Sequence, residues 1–399
     1  MKTIYRKLPL LLFPLWGLGG LFHPLWGQEG LPFLNAIKQN NTTLKALRRT
    51  GEAQQLENKT GIYLPGPDAT IDYLWGTPAA IGNRTDITLR QSFDIVALTN
   101  IKKRIADQQN ELINLQFRAD RTTILQEAAM YGIEIIYYNI LKKELSRRLQ
   151  HAETLAATCA KRLETGNATI LEYNKAKLYL SSAQGELSRA EVERTALLAE
   201  LQRLNGGIAI ALDDENYGGD ALPPDFETWF TNIAAQHPAL EYARQDVKYK
   251  KQDLTLNKTQ NWPSFSIGFI SENVVGQRYQ GISIGLSIPL WENRNRVKQA
   301  AAAVRAAESR QTDADLQLLT RLQTAYLRAH SLRAIAADYR QALTSLNNSE
   351  LLEKALAAGE ISLLEYIVEM ELYYSAIQQT LSAERDYRKA VAALLCNNE

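Results

Sequence analysis

The feature that most constrains this chain is the length of its helical apolar pattern. Leu322, Ala325, Ala329, Leu332, Ala336, Tyr339, Leu343 and Leu346 recur at helical spacing. So do Ala128, Tyr131, Ile135, Tyr138, Leu145 and Leu149. Such spacing predicts coiled-coil-like helices, from about Ala97 to Thr165 and from about Asn293 to Ala358. A helix of about 66–69 residues is roughly 100 Å long, wider than an ordinary globular domain. The chain must therefore travel back. Ile170–Leu204 plus Phe226–Lys258 supplies a return leg for the first long helix. Leu363–Leu395, completed by an N-terminal helix over about Phe33–Lys59, supplies the second. The expected molecule is a rod of two long hairpins.

Four strands are expected at one end of that rod. They are Asp68–Trp75, Thr85–Ile95, Ser264–Ser271 and Tyr279–Leu290. In the last, Ile282, Ile284, Leu286, Ile288 and Leu290 alternate with small or polar residues. Phe265, Ile267 and Phe269 alternate in the same way. The order helix, two strands, very long helix, turn, helix thus occurs twice. Gly166-Asn-Ala-Thr-Ile-Leu-Glu-Tyr173 aligns without gaps on Gly359-Glu-Ile-Ser-Leu-Leu-Glu-Tyr366. A period of about 195 residues is too long for a solenoid and reads as an internal duplication. The units are residues 28–206 and 225–399, joined by a Gly- and Pro-rich linker, 207–224.

The strands have near the 9–11 residues of a tilted membrane strand. Trp75, Trp262 and Trp291 sit at their ends, as in the aromatic girdle at a membrane interface. Four strands cannot close a barrel, and open edges are not viable in lipid. Two copies give eight strands and a filled interior, whereas three give twelve and a lumen. The fold class is therefore a mixed α and β membrane protein whose β-barrel is completed only in a trimer.

Residues 1–27 read as a secretory signal: Lys2, Arg6 and Lys7, an apolar run to Leu25, then Gly27. No cysteine lies near that junction, so no lipid anchor is expected. The 399 residues carry 45 basic and 44 acidic side chains, a net charge of +1, which argues against nucleic acid as a partner. Two cysteines and four histidines offer neither a disulfide framework nor a zinc pattern. No nucleophile constellation or phosphate loop is present, so neither an enzyme nor a cofactor is expected. Asp213, Asp214 and Glu215 lack a calcium-loop spacing, and a solvated linker is the expectation there. Hairpin geometry puts Cys159 near a tip and Cys396 far from it, so a disulfide between them is not expected.

The sequence resembles the TolC-like outer-membrane efflux family of Gram-negative bacteria. The carrying motifs are Gly281-Ile-Ser-Ile-Gly-Leu-Ser-Ile-Pro-Leu-Trp-Glu-Asn-Arg294 and Gly359-Glu-Ile-Ser-Leu-Leu-Glu-Tyr366. Gly166–Ala176 and Ala383–Ala390 add to them. The resemblance implies a homotrimeric outer-membrane barrel continued by a periplasmic helical tunnel. It implies the exit duct of a tripartite efflux pump, with a periplasmic adaptor and an inner-membrane transporter as partners. The Gly166 motif also resembles the heavy-metal-efflux branch, which implies transition-metal cations as cargo. The hairpin turns at Gly166, Thr169, Gly359 and Ser362 would be the adaptor-docking tips. Glu365 matches an acidic position that lines the family's periplasmic gate, and Glu172 is its counterpart in the first unit. The family's second gate carboxylate falls on Val368, and Glu369 is the nearest acid. An arginine sometimes found at the tip falls on Ile361. The competing reading is a soluble periplasmic coiled-coil adaptor or scaffold, which leaves the paired strands and their aromatics without a purpose.

Overall fold

A computed structural model describes residues 32–93, 96–218, 222–291 and 293–395. The signal segment and Cys396 lie outside these described residues. Helices α1 (Pro32–Asn40) and α2 (Thr42–Glu57) lead to strands β1 (Asp68–Leu74) and β2 (Arg84–Phe93). The long helix α3 (Val96–Glu164) follows, then α4 (Ile170–Leu204), α5 (Phe226–Gln236) and α6 (Pro238–Thr259). Strands β3 (Ser264–Val274) and β4 (Gln277–Ser287) come next, then α7 (Arg296–Ser345), α8 (Ser349–Ala358) and α9 (Leu363–Leu395). The expected strands and long hairpins are present. Among the described residues, no helix is long and apolar enough to cross a membrane.

Helix α3 runs 69 residues unbroken, about 104 Å at 1.5 Å per residue. Helix α4 packs back along it, and α9 packs back along α7. A sparser seam joins α3 to α9. The apolar core is a series of small clusters strung along the bundle rather than one centre. One joins Phe33 and Ile37 of α1 to Leu125, Ala128 and Ile135 of α3 and Leu201 and Leu204 of α4. Another, near the hairpin turns, joins Leu155 and Cys159 of α3 to Tyr179 of α4 and Tyr366 and Met370 of α9.

Three expected helices are interrupted, two of them at an evident local cap. The N-terminal helix breaks at Asn41, whose side chain accepts a hydrogen bond from the Leu44 N–H at 2.8 Å. Its amide also donates to the Leu204 carbonyl at 2.7 Å, so the break tethers α2 to the end of α4. The return leg breaks at His237, because Pro238 supplies no N–H and disfavours helical backbone before it. There His237 Nδ1 accepts from the Ala239 N–H at 3.2 Å. The second long helix breaks over Leu346–Asn348, leaving α8 as a separate ten-residue piece.

The linker departs from expectation as well. Leu212 and Tyr217 are buried, and Asn139 of α3 donates to the Leu212 and Asp214 carbonyls at 3.0 and 2.9 Å. Asp213 pairs with Arg194 at 2.6 Å and Glu215 with Lys143 at 2.5 Å. The described part of the linker is strapped onto α3 and α4. Its acids neutralise neighbouring cations, and the described residues contain no acid, His or Cys group of three suited to a metal.

Close packing makes one fold prediction. A Cβ built on Gly132 of α3 would lie 2.5 Å from Cζ of Phe33, a buried α1 ring. Gly132→Leu is expected to lower stability by about 1–3 kcal/mol through overpacking, despite the better helix propensity of leucine. A fall in the thermal unfolding midpoint of the detergent-purified protein checks this; an unchanged midpoint would contradict the α1–α3 contact.

Candidate functional site: an amphipathic sheet and two hairpin tips

The four strands form one antiparallel sheet in sequence order. Pairing of β2 with β3, Arg84 opposite Val274 through Phe93 opposite Phe265, joins the two halves of the chain. Strands β1 and β4 are its edges. The register decides what each face carries. Leu89 lies opposite Phe269, and Phe269 opposite Ile282. Gln91, Ile267 and Ile284 form the next row, then Phe93, Phe265 and Leu286. Ile71 and Ile87 extend this face toward the turns. It is apolar yet exposed: Ile282 and Ile284 each keep 80% of their surface. Strand β4, Gln277–Ser287, is about 33 Å long at ~3.3 Å per residue, which a tilt of about 40° brings to about 25 Å. That is near the roughly 25 Å apolar band of an outer-membrane barrel.

The opposite face is polar. Asp72 lies opposite Asp86, Asp86 opposite Glu272, and Glu272 opposite Tyr279. Like charges directly opposite one another destabilise a sheet. Arg84 relieves this row, reaching Asp86 at 2.7 Å and Glu272 at 2.8 Å. Small residues line the rest of this face on β4: Gly281, Ser283, Gly285 and Ser287. One face therefore suits lipid and the other suits water.

The expected girdle residues stand at both ends of the sheet. Trp75 follows β1 at the turn end and packs edge-on to Tyr73, with ring centroids 5.6 Å apart. Trp262 precedes β3 and Trp291 follows β4, both on the helix side. All three are largely exposed. They flank the apolar band instead of filling a core.

At the far end, the two hairpin tips are built alike. Gly166 and Gly359 have φ of +76° and +75°, the left-handed conformation that closes a helix. The next N–H donates five residues back: Asn167 to the Arg162 carbonyl at 2.7 Å, Glu360 to the Ala355 carbonyl at 2.9 Å. Thr169 and Ser362 then cap the following helices. The Thr169 N–H donates to the Glu172 carboxylate at 2.6 Å, and the Glu172 N–H donates back to the Thr169 hydroxyl at 3.2 Å. Ser362 and Glu365 repeat the exchange at 2.8 and 3.2 Å. Donation from the cap backbone and hydroxyl holds both carboxyls below the usual glutamate range. Glu172 and Glu365 therefore have a structural task, and the repeated Gly-x-x-Thr/Ser-x-x-Glu spacing follows from two successive caps.

Glu369 lies one turn beyond Glu365, in a groove between α9 and the α7–α8 break, beside Tyr339, Ser349 and Leu372. The structure brings Glu365 and Glu369 onto one face of α9; Glu172 belongs to the other hairpin. The tips also expose apolar residues the core does not use, Ile170, Leu171, Leu364 and Val368. Sequence reasoning missed Arg148 of α3, which is buried where three helices meet. It pairs with Glu186 of α4 at 2.7 Å and with Glu371 of α9, and it lies over the rings of Tyr179 and Tyr374. No periodicity signals this residue, because its partners come from two other helices, α4 and α9. Cys159 is a free, buried thiol, and burial pushes it up from the ordinary value.

This architecture is that of solved outer-membrane channels. The CmeC outer membrane channel of Campylobacter jejuni superimposes with a TM-score of 0.76 at 14% identity, over 92% of this chain and 84% of that one. The outer-membrane channel OprN gives 0.75 at 14% identity, over 95% and 93%. The MtrE outer membrane channel of Neisseria gonorrhoeae, in its open state, gives 0.72 at 14% identity, over 92% and 88%. No protein-family model matches the sequence, and none of the curated proteins does. The likeness is one of fold, carried at low identity over nearly the whole of each chain.

Proposed function

We propose that this chain is one third of a trimeric outer-membrane channel, the passive exit duct of a tripartite efflux pump. The observation that carries the reading is the four-stranded sheet: apolar and exposed on one face, polar on the other, open at both edges, and joined to hairpins about 100 Å long. Open edges in lipid leave backbone groups without partners, so β4 of one copy would pair with β1 of the next. Twelve strands enclose a wet lumen, and the helices continue it into the periplasm. The duplicated halves and the signal at residues 1–27 belong to this reading. The tips, with exposed Ile170, Leu171 and Leu364 around Gly166, Thr169, Gly359 and Ser362, would dock a periplasmic adaptor fed by an inner-membrane transporter.

Three copies of Glu365 and Glu369 would ring the narrow end and favour cations. Capping does not remove the charge of Glu365, since it stabilises the carboxylate form. With the Gly166 motif, this supports transition-metal cations as cargo. The experiment has two arms. Carbonate-washed membranes should retain the protein, and the purified trimer should conduct in planar bilayers; release into the periplasmic soluble fraction would favour an adaptor or scaffold. Glu365→Gln with Glu369→Gln should lower the preference for cations, and unchanged selectivity would remove both residues from the gate.

A further inference from the structure

The two hairpins differ near their tips. Helix α3 reaches its turn unbroken, whereas the corresponding stretch of the second hairpin is cut over Leu346–Asn348. The last ten residues before Gly359 form α8, which has no fully buried residue. It is bounded by the break on one side and a left-handed glycine on the other. Leu352 and Leu356 rest on the tip cluster, but α8 has no core of its own.

One titratable side chain joins α8 to α3. His151 of α3 is half-buried, with Nε2 3.6 Å from the Glu353 carboxylate of α8. The same nitrogen lies 2.7 Å from the Tyr366 hydroxyl of α9, and Nδ1 lies 3.5 Å from the Tyr374 hydroxyl. The other charged and titratable groups of the cluster are accounted for. On α3, Arg147 pairs with Glu144, and Arg148 pairs with Glu186 of α4 and Glu371 of α9. Tyr179 of α4 and Tyr366 and Tyr374 of α9 stay neutral, because burial raises all three above the ordinary tyrosine value. Among the described residues, Glu353 is the carboxylate that His151 faces.

We infer that His151 and Glu353 form an acid-closed latch, which pins the short tip helix α8 to α3 when the imidazole is protonated. Neutral His151 accepts from Tyr366 and offers Glu353 little. Protonated His151 donates from both nitrogens, so Nε2 is shared between Tyr366 and Glu353, and an ion pair spans two helices of different hairpins. Histidine changes charge between about pH 5 and 8, while a carboxylate in contact with a cation stays ionised there. The latch therefore engages as the compartment acidifies and releases as pH rises. It deepens the channel reading, since α8 would border the periplasmic opening, yet its mechanics stand on this chain's own contacts.

The test is hydrogen exchange of the full-length purified protein at pH 5.5 and pH 7.5, with rates corrected for intrinsic pH dependence. Wild-type α8 amides should exchange about threefold more slowly at the lower pH, the scale of one partly exposed ion pair. His151→Gln and Glu353→Gln should each abolish that difference; Glu353 is largely exposed, so its replacement leaves folding intact. Protection of α8 that ignores pH in the wild type, or that keeps its pH dependence in both variants, overturns the latch. Planar-bilayer recordings separate it from the channel reading. A wild-type open probability that falls at pH 5.5 and no longer does so in Glu353→Gln supports the latch as a gate. Absence of conductance at every pH removes the channel reading and leaves the exchange result to decide the latch.

Discussion

Ile284→Arg should abolish accumulation of the protein in the outer membrane. Ile284 sits mid-strand on the apolar sheet face and keeps 80% of its surface free. In water, a side chain so exposed tolerates arginine at almost no cost. Facing the middle of a bilayer, the same change costs about 2–4 kcal/mol, and a trimer carries it three times. The paired control is Ser287→Arg on the opposite face, which should insert normally because on the channel reading that face would line the wet lumen. Fractionation with a carbonate wash reads both variants. Equal recovery of the two from the outer membrane would mean that the apolar face meets protein, and the barrel reading would fall.

The second large effect is expected at Arg148. Its side chain is only 5% exposed, while its partners Glu186 and Glu371 keep 35% and 46% of their side-chain surface. Removing one member of a fully buried pair costs about 3–5 kcal/mol. Here the abandoned carboxylates can recover water, so Arg148→Ala should cost nearer about 2–3 kcal/mol, including the lost stacking on Tyr179 and Tyr374. Arg148→Lys should recover only part, since lysine cannot span two acids from two helices with a planar fork. Thermal unfolding of the purified protein measures this. A cycle with Glu371→Gln isolates the link between the hairpins, and a coupling near zero would assign the loss to packing alone.

Much of the architecture was legible because its signals are local and repetitive. The alternation Ile282, Ile284, Leu286 identifies a strand with one apolar and one polar side, as the register shows, whereas Ile288 and Leu290 continue the pattern past the strand end at Ser287, where Pro289 supplies no N–H for a further ladder bond. Helices α4 and α9 begin and end at the residues their apolar spacing indicates, since the Gly-x-x-Thr/Ser-x-x-Glu turn punctuates both. The breaks at Asn41 and His237 carried signals that periodicity overrode. Asparagine before Thr-Thr-Leu is a helix cap, and His-Pro disfavours continued helix. The break at Leu346–Asn348 rests on two asparagines and a serine, a weaker signal that long-range spacing conceals. Arg148 and the His151 cluster were not legible at all. A lone arginine or histidine in a helical run looks like a solvated side chain until two other helices arrive around it, α4 and α9 for Arg148, α8 and α9 for His151. The linker failed for the same reason: its acids find Arg194 and Lys143 only after α3 and α4 pair.

The pairing of β2 with β3 also constrains the order of assembly. Arg84 meets Val274, and Phe93 meets Phe265, across stretches of chain that include α3 through α6. Contacts so distant in sequence are slow to form, because a long loop must close before any bond rewards it. The α3–α4 hairpin needs only local contacts and can form as soon as its chain is available. The sheet should therefore be the last element to mature, and it does so only when the rod has brought its strands together. On the channel reading proposed above, a nascent chain would thus reach the bilayer with its helices already folded and its apolar sheet face still unmade, which delays exposure of that face until a membrane is there to receive it.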